Sequence, residues 1–192
     1  MNKYKLTFTD IYISIIAIIL VILVDLLQTT LIKNGIMPPQ MHIYFKFRIV
    51  VLAIVSALFG PVVGFTVGIS GTLMVCFITY GNAEVVQIVA DAIFSTIIGM
   101  HADKYGVLTG KFTGIKLLDF NMVLLMANIF CSIIFPPISI LLIFGGNLTD
   151  IVMTGIKAAF SNSLATGVVC TILFWIISQY MYKRNSNRLY PN

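Results

Sequence analysis

Polar side chains recur along one otherwise apolar segment in the middle of the chain. Glu84, Gln87 and Asp91 follow one another at intervals of three and four residues, among valine, isoleucine and alanine. Residues spaced in this way lie on one face of a helix. Carboxylate and amide groups are hydrogen-bonding groups, so this face could line a polar cavity for a small molecule. In the alternative interpretation, Glu84 lies at the boundary of the segment and Asp91 pairs with a basic residue of another helix.

Polar residues elsewhere in the chain could join the same site. Arg48 stands at the start of another apolar segment, although its side chain could instead extend to a membrane surface. Aromatic and amide side chains in the connecting loops could stack on or hydrogen-bond to a planar ligand. The predicted binding residues are Gln40, Tyr44, Arg48, Asn82, Glu84, Gln87, Asp91, Asn128, Lys157 and Asn162.

The chain matches none of the common catalytic or metal-binding motifs. The residues GVLTGK at positions 106–111 are one short of a phosphate-binding loop and are followed by Phe112 instead of serine or threonine. Cys76, Cys131 and Cys170 lie in apolar stretches without a C-x-x-C pair, so we predict that they are small core residues. We therefore expect neither an enzyme nor a bound cofactor or metal.

The composition excludes a soluble globular domain. Of the 192 residues, 59% are hydrophobic and 10% are charged, and the mean hydropathy is +1.01. Soluble domains have roughly 25% charged residues, which cover their surface. The net charge of +5 does not indicate nucleic-acid binding, because the basic residues stand at the ends of apolar segments and not on one patch.

The elements that must position these residues are predicted to be membrane-spanning helices. Crossing the hydrocarbon core takes about 20 apolar residues. The predicted fold is an all-α integral membrane protein, a single domain over residues 1–192. The Pro136-Pro137 pair is expected to kink or end the fifth helix. The six predicted spans cover residues 11–32, 43–59, 62–80, 84–100, 119–144 and 151–182.

The distribution of basic residues predicts the orientation in the membrane. Lysine and arginine concentrate in cytoplasmic loops. With both termini cytoplasmic, eight of the 12 basic residues lie on the inner side: Lys3, Lys5, Lys104, Lys111, Lys116, Lys183, Arg184 and Arg188. All the predicted binding residues except Asn128 then fall in the outer half. Gly60, Gly64 and Gly68 form a G-x-x-x-G register that is typical of close helix packing.

Three stretches resemble a known family, the substrate-binding S components of energy-coupling factor (ECF) transporters, and within it the riboflavin-type branch. They are ALFGPVVGFTVGISG at positions 57–71, the region 97–111, which ends within GKF at positions 110–112, and the region 127–167, which contains AAFSNSLATG. The similarity extends over most of residues 40–178. It implies a six-helix subunit in the plasma membrane of a prokaryote that imports a vitamin.

The resemblance also implies a ligand site, partners and a docking surface. One vitamin or precursor would bind near the outer surface, and a membrane coupling subunit with two cytoplasmic ATPases would drive import. Many such subunits dock through small residues on the first helix, for which Ser14 and Ala17 are the nearest candidates here. Riboflavin, a pyridoxine-type vitamin and a hydroxymethylpyrimidine precursor all remain possible ligands.

Two other functions are compatible with the residues alone. A solitary ion-coupled transporter would use Asp91 as its proton site and would take up solute without partners. A membrane scaffold without a ligand would tolerate apolar replacements of Glu84, Gln87 and Asp91.

Overall fold

The computed structural model describes residues 7–39, 45–143 and 147–189. Every regular element in these ranges is helical, which confirms the all-α prediction for the described part of the chain. Two π-helical turns, Cys76–Tyr80 and Phe130–Ile134, extend the helices that precede them. The α-helices are α1 (Phe8–Lys33), α2 (Phe47–Phe59), α3 (Pro61–Val75), α4 (Val85–Met100), α5 (Ala102–Tyr105), α6 (Gly114–Ile129), α7 (Phe135–Ile143) and α8 (Leu148–Leu189).

Four helical stretches are long and apolar enough to cross a membrane: Phe8–Lys33, Pro61–Thr79, Gly114–Ser139 and Leu148–Asn185. The helices α2 and α4 are also apolar but shorter, with 13 and 16 residues. At a rise of about 1.5 Å per residue, each of the two extends over less than a hydrocarbon core of about 30 Å. The six-span arrangement therefore stays a prediction.

The first helix, α1, turns its few small and polar side chains inwards. Ser14 and Ala17 are each 4% exposed, while the isoleucines and leucines of the other face are exposed. α1 packs against α3, where a Cβ built on Gly71 would lie 3.2 Å from Cγ1 of Val21. Ser14 and Ala17 are therefore buried in this structure, and their docking role stays a prediction.

The helices α3 and α4 cross closely at two glycines. A Cβ built on Gly68 would lie 2.8 Å from Cα of Ala92, and one on Gly64 would lie 2.8 Å from the carbonyl oxygen of Ser95. Gly60 differs from these two, because a Cβ there would meet nothing within 4 Å. Its φ of +91° forms the turn between α2 and α3, so the backbone conformation requires glycine at this position.

The proline pair does not end the fifth apolar segment. Pro136 and Pro137 lie within α7, and the irregularity occurs just before them, in the π-helical turn Phe130–Ile134. The N–H of Phe135 donates to the carbonyl oxygen of Phe130, five residues back. A proline lacks an N–H and clashes with the preceding turn of a regular helix. The wider π-helical turn accommodates this defect, so the helix continues.

Candidate functional site

A cavity of about 1020 Å³ lies among the start of α2, the N-terminal parts of α4 and α8, and the end of α6 with its π-helical turn. Apolar side chains such as Ile49, Phe94 and Ile151 form part of its wall. A cavity of this size, apolar with a few converging polar groups, is typical of small-molecule sites. The polar lining residues are Lys46, Arg48, Glu84, Gln87, Asp91, Asn128, Ser132, Asp150, Thr154 and Asn162.

A buried ion pair joins three helices at the wall of this cavity. Nε of Arg48 lies 2.9 Å from Oδ2 of Asp91, and its Nη1 lies 3.1 Å from Oδ1 of Asp25. The exposed fractions are 2% for Arg48, 2% for Asp91 and 0% for Asp25. Burying a charge is costly unless it is paired and hydrogen-bonded. The guanidinium of Arg48 in α2 therefore pairs with carboxylates from both α1 and α4.

The carboxylate of Asp91 has donors on both oxygens. Oγ1 of Thr72 donates to Oδ2 over 2.9 Å, and Nε2 of Gln87 donates to Oδ1 over 2.6 Å. The hydroxyl of Ser95 donates to the backbone carbonyl of Asp91 over 2.7 Å. Asp25 differs from Asp91, because its buried Oδ2 has no hydrogen-bond partner among the described residues.

The backbone that enters α2 is held from two sides. Gln28 of α1 donates to the carbonyl oxygen of Phe45 over 2.5 Å and accepts from the N–H of Phe47 over 2.9 Å. Between them, the N–H of Lys46 donates to Oδ1 of Asn162 of α8 over 3.1 Å. These bonds fix the segment from which Lys46 and Arg48 project into the cavity wall.

The structure brings together six of the predicted binding residues. Asn128 and Asn162 are buried, whereas Glu84 is exposed at the edge of the cavity. Gln40 and Tyr44 lie outside the described residues. The six residues that line the cavity are Arg48, Glu84, Gln87, Asp91, Asn128 and Asn162.

Asn82 and Lys157 are described but do not line the cavity. Asn82 lies exposed in the turn before α4. Lys157 is also exposed and does not line the cavity, although it lies three residues after Thr154, which does. Their part in the site stays a prediction.

The structure decides between the alternatives for two residues. Asp91 pairs with a basic residue of another helix, as the structural alternative held, yet it also lines the cavity. Arg48 does not extend to a membrane surface, because its guanidinium is engaged by two buried carboxylates. Hence the same pair connects helices and forms part of the cavity wall.

Residues that the sequence reasoning missed complete this arrangement. Asp25 carried a usable signal, since an ionisable side chain within an apolar span is costly and marks a partner or a function. Asp150 lines the cavity and precedes the last predicted span, where loop carboxylates are common. The role of Thr72 could not be recognised from the sequence, because threonines are common in apolar helices and its partner, Asp91, is known only from the structure.

The comparisons with known proteins agree with the resemblance drawn from the sequence. The family model for the S component of ECF-type riboflavin transporters matches residues 8–179. A UPF0397 protein of Lactobacillus johnsonii is 30% identical over 167 residues, which is 87% of this chain and 88% of the relative. One of Staphylococcus aureus is 28% identical over 137 residues, 71% of this chain and 74% of the relative. No solved structure matches.

The cavity has Arg48 and Asp91 in its wall, and the family model matches residues 8–179. The chain belongs to the ECF-type riboflavin transporter S components.

Proposed function

We propose that this protein binds a water-soluble vitamin or vitamin precursor in the cavity and carries it across the plasma membrane of a prokaryote. The observation that carries the proposal is the cavity itself, about 1020 Å³ in volume and lined by ionisable and amide groups. Membership of a transporter S-component family supports an import role and no enzymatic one. The candidate ligands are riboflavin, a pyridoxine-type vitamin and hydroxymethylpyrimidine.

The charges of the lining favour a ligand with hydrogen-bond donors. Glu84, Asp91 and Asp150 face two basic residues, Lys46 and Arg48. Arg48 is already engaged by Asp91 and by a second carboxylate behind it. Carboxylates accept hydrogen bonds from ring N–H, amine and hydroxyl groups and repel anions. We therefore expect phosphorylated forms of a vitamin to bind worse than the free vitamin.

Six spans with both termini cytoplasmic are part of the proposal. Four long apolar helices and the shorter apolar helices α2 and α4 support this number. A shorter helix can be accommodated where the bilayer thins locally or neighbouring helices cover its ends. In this orientation the cavity faces outwards. The energy would come from a membrane coupling subunit and two cytoplasmic ATPases.

The experiment is calorimetry on the purified chain in detergent with riboflavin, pyridoxine and hydroxymethylpyrimidine, and with riboflavin 5′-phosphate as an anionic comparison. Glu84→Gln and Asp150→Asn each remove one charge from the rim. We expect one vitamin to bind, and each variant to weaken its binding by about tenfold. Asp119→Asn removes an exposed carboxylate at the start of α6, far from the cavity, and is the matched control.

The outcomes separate the parts of the proposal. If Lys157→Ala weakens vitamin binding as much as Glu84→Gln does, Lys157 belongs to the site. Absence of binding for all three vitamins would remove these ligands. Uptake by cells that express this chain with a coupling module, but not by cells that express the chain alone, is the expected result for the partner requirement.

The ion-coupled alternative gains no support from the geometry of Asp91. Both of its oxygens accept hydrogen bonds, from Arg48, Thr72 and Gln87. A proton on this carboxylate would disrupt at least one of these bonds. Uptake by the isolated chain in response to an ion gradient would nevertheless establish that alternative and overturn the partner requirement.

A further inference from the structure

The end of the molecule opposite the cavity carries a concentration of basic side chains. The cavity uses the first turns of α4 and α8, whereas this surface follows the end of α4 and the last third of α8. Residues 102–119 and 178–185 contain five lysines and arginines against two aspartates, Asp103 and Asp119. The cationic patch, as we name it, consists of Lys104, Lys111, Lys116, Lys183 and Arg184.

The loop that carries part of this patch has a defined conformation. Gly106 and Gly110 have φ values of +67° and +72°, which few other residues adopt. The N–H of Lys111 donates to the carbonyl oxygen of Gly106 over 3.0 Å. The hydroxyl of Thr109 donates to the same oxygen over 2.9 Å. The sequence GVLTGK thus forms a closed turn that presents Lys111 at its end.

Contacts with α6 and α8 bring together the segments that carry these basic residues. A Cβ built on Gly106 would lie 2.5 Å from Nζ of Lys116, so this ammonium group lies over the turn. A Cβ built on Gly110 would lie 2.6 Å from the backbone nitrogen of Tyr182. The backbone before Lys111 therefore lies against the backbone of α8 just before Lys183. The N–H of Phe112 donates to Oγ of Ser178 over 3.1 Å and anchors the loop on α8.

Exposed apolar and aromatic side chains surround the patch. Leu108, Ile115, Leu118, Tyr180 and Tyr182 are all exposed. In a membrane protein such side chains face lipid, and tyrosines concentrate at the level of the headgroups. A soluble acidic partner would leave this apolar border in water. A phospholipid would satisfy both parts at once, its phosphate meeting the lysines and its chains meeting the border.

We propose that the cationic patch is a binding site for the phosphate headgroup of anionic phospholipids. The site combines ammonium and guanidinium groups from α5, the 106–111 turn, α6 and α8, with an apolar border for the acyl chains. It would anchor the end of the protein opposite the vitamin cavity in the inner leaflet, independently of which vitamin is bound.

The single tryptophan provides a direct test. Trp175 is exposed on α8, eight residues before Lys183, which corresponds to about 12 Å along the helix. Bromine atoms midway along the acyl chains of a bound lipid would lie near this depth and quench its fluorescence. The protein is reconstituted in phosphatidylcholine bilayers that contain an equal fraction of brominated phosphatidylglycerol or brominated phosphatidylcholine. We expect stronger quenching by the brominated phosphatidylglycerol.

The double variant Lys111→Gln/Lys183→Gln tests whether the patch causes the preference. Each lysine near an anionic surface contributes about fivefold to binding at low salt, so the variant should lose most of the preference. Lys33→Gln removes an exposed charge at the opposite end of the molecule and should leave the preference for phosphatidylglycerol unchanged. High salt should reduce the preference of the unmodified protein. Thermal unfolding in detergent checks that all the variants are folded.

Three results would overturn the proposal. The first is equal quenching by the two brominated lipids. The second is a preference for phosphatidylglycerol that survives in the double variant. The third is an equally large loss of this preference in Lys33→Gln. If the lipids quench equally but the double variant loses uptake in cells with a coupling module, the patch serves an acidic protein surface instead.

Discussion

Nε of Arg48 lies 2.9 Å from Oδ2 of Asp91, and this buried pair forms part of the cavity wall. The same guanidinium reaches Asp25 of α1 over 3.1 Å. A ligand that displaced either bond would also alter the packing of α1 and α2. The stability of the fold and the properties of the cavity are therefore linked through one side chain.

Loss of the arginine should cost more stability than loss of either carboxylate. Arg48→Met leaves Asp25 and Asp91 buried without their shared counter-charge, which should cost about 3–5 kcal/mol. Asp25→Asn and Asp91→Asn leave Arg48 with one carboxylate and should cost about 1–3 kcal/mol each. The temperatures of thermal unfolding in detergent give the order of stability of these variants. Asp119→Asn is the exposed control, and Arg48→Met unfolding at the same temperature as this control would contradict the prediction.

Thr72→Val should destabilise the protein through a single lost hydrogen bond. The hydroxyl of Thr72 is buried and donates to Oδ2 of Asp91, and hydrogen bonds to charged groups contribute about 1.5–3 kcal/mol. Thr66→Val on the same helix removes a hydroxyl that donates to the backbone oxygen of Val62 and not to a charged group. Chemical unfolding monitored by helix content compares the two. Equal midpoints would show that Thr72 contributes nothing particular.

Gly68→Ala should force α3 and α4 apart. The added methyl group would lie 2.8 Å from Cα of Ala92 and 2.9 Å from the carbonyl oxygen of Asp91, and backbone atoms cannot move aside cheaply. We expect a loss of about 1–3 kcal/mol. Gly114→Ala, where a Cβ meets nothing within 4 Å, is the matched control and should be neutral or slightly stabilising. Comparable unfolding temperatures for both variants would argue against the close helix crossing.

A thiol reagent can test access to the cavity without knowledge of the ligand. All three cysteines are buried, but Cys131 lines the cavity and Cys76 and Cys170 do not. We expect a small polar thiol reagent to modify Cys131 first, and the bound vitamin to slow this reaction. Mass spectrometry of peptides identifies the modified residue. Modification of Cys170 before Cys131 would contradict the assigned cavity.

Several features followed from short-range properties of the sequence. The spacing of Glu84, Gln87 and Asp91 on one helix needs only the helical period, and in the structure all three line the cavity. The buried state of the three cysteines followed from their apolar surroundings. The irregularity near Pro136-Pro137 was foreseen, but its form was not, since the π-helical turn precedes the prolines.

By itself, the sequence determined that the chain is an apolar helical membrane protein and pointed to its family, because composition, the lengths of apolar runs and local motifs suffice for both. Only the tertiary structure decided that Arg48 joins Asp25 to Asp91 and that Ser14 and Ala17 are buried. The physical reason is that these outcomes depend on how each helix is rotated about its axis and which helix packs beside it. Such contacts join residues far apart in the chain, and no local pattern encodes them.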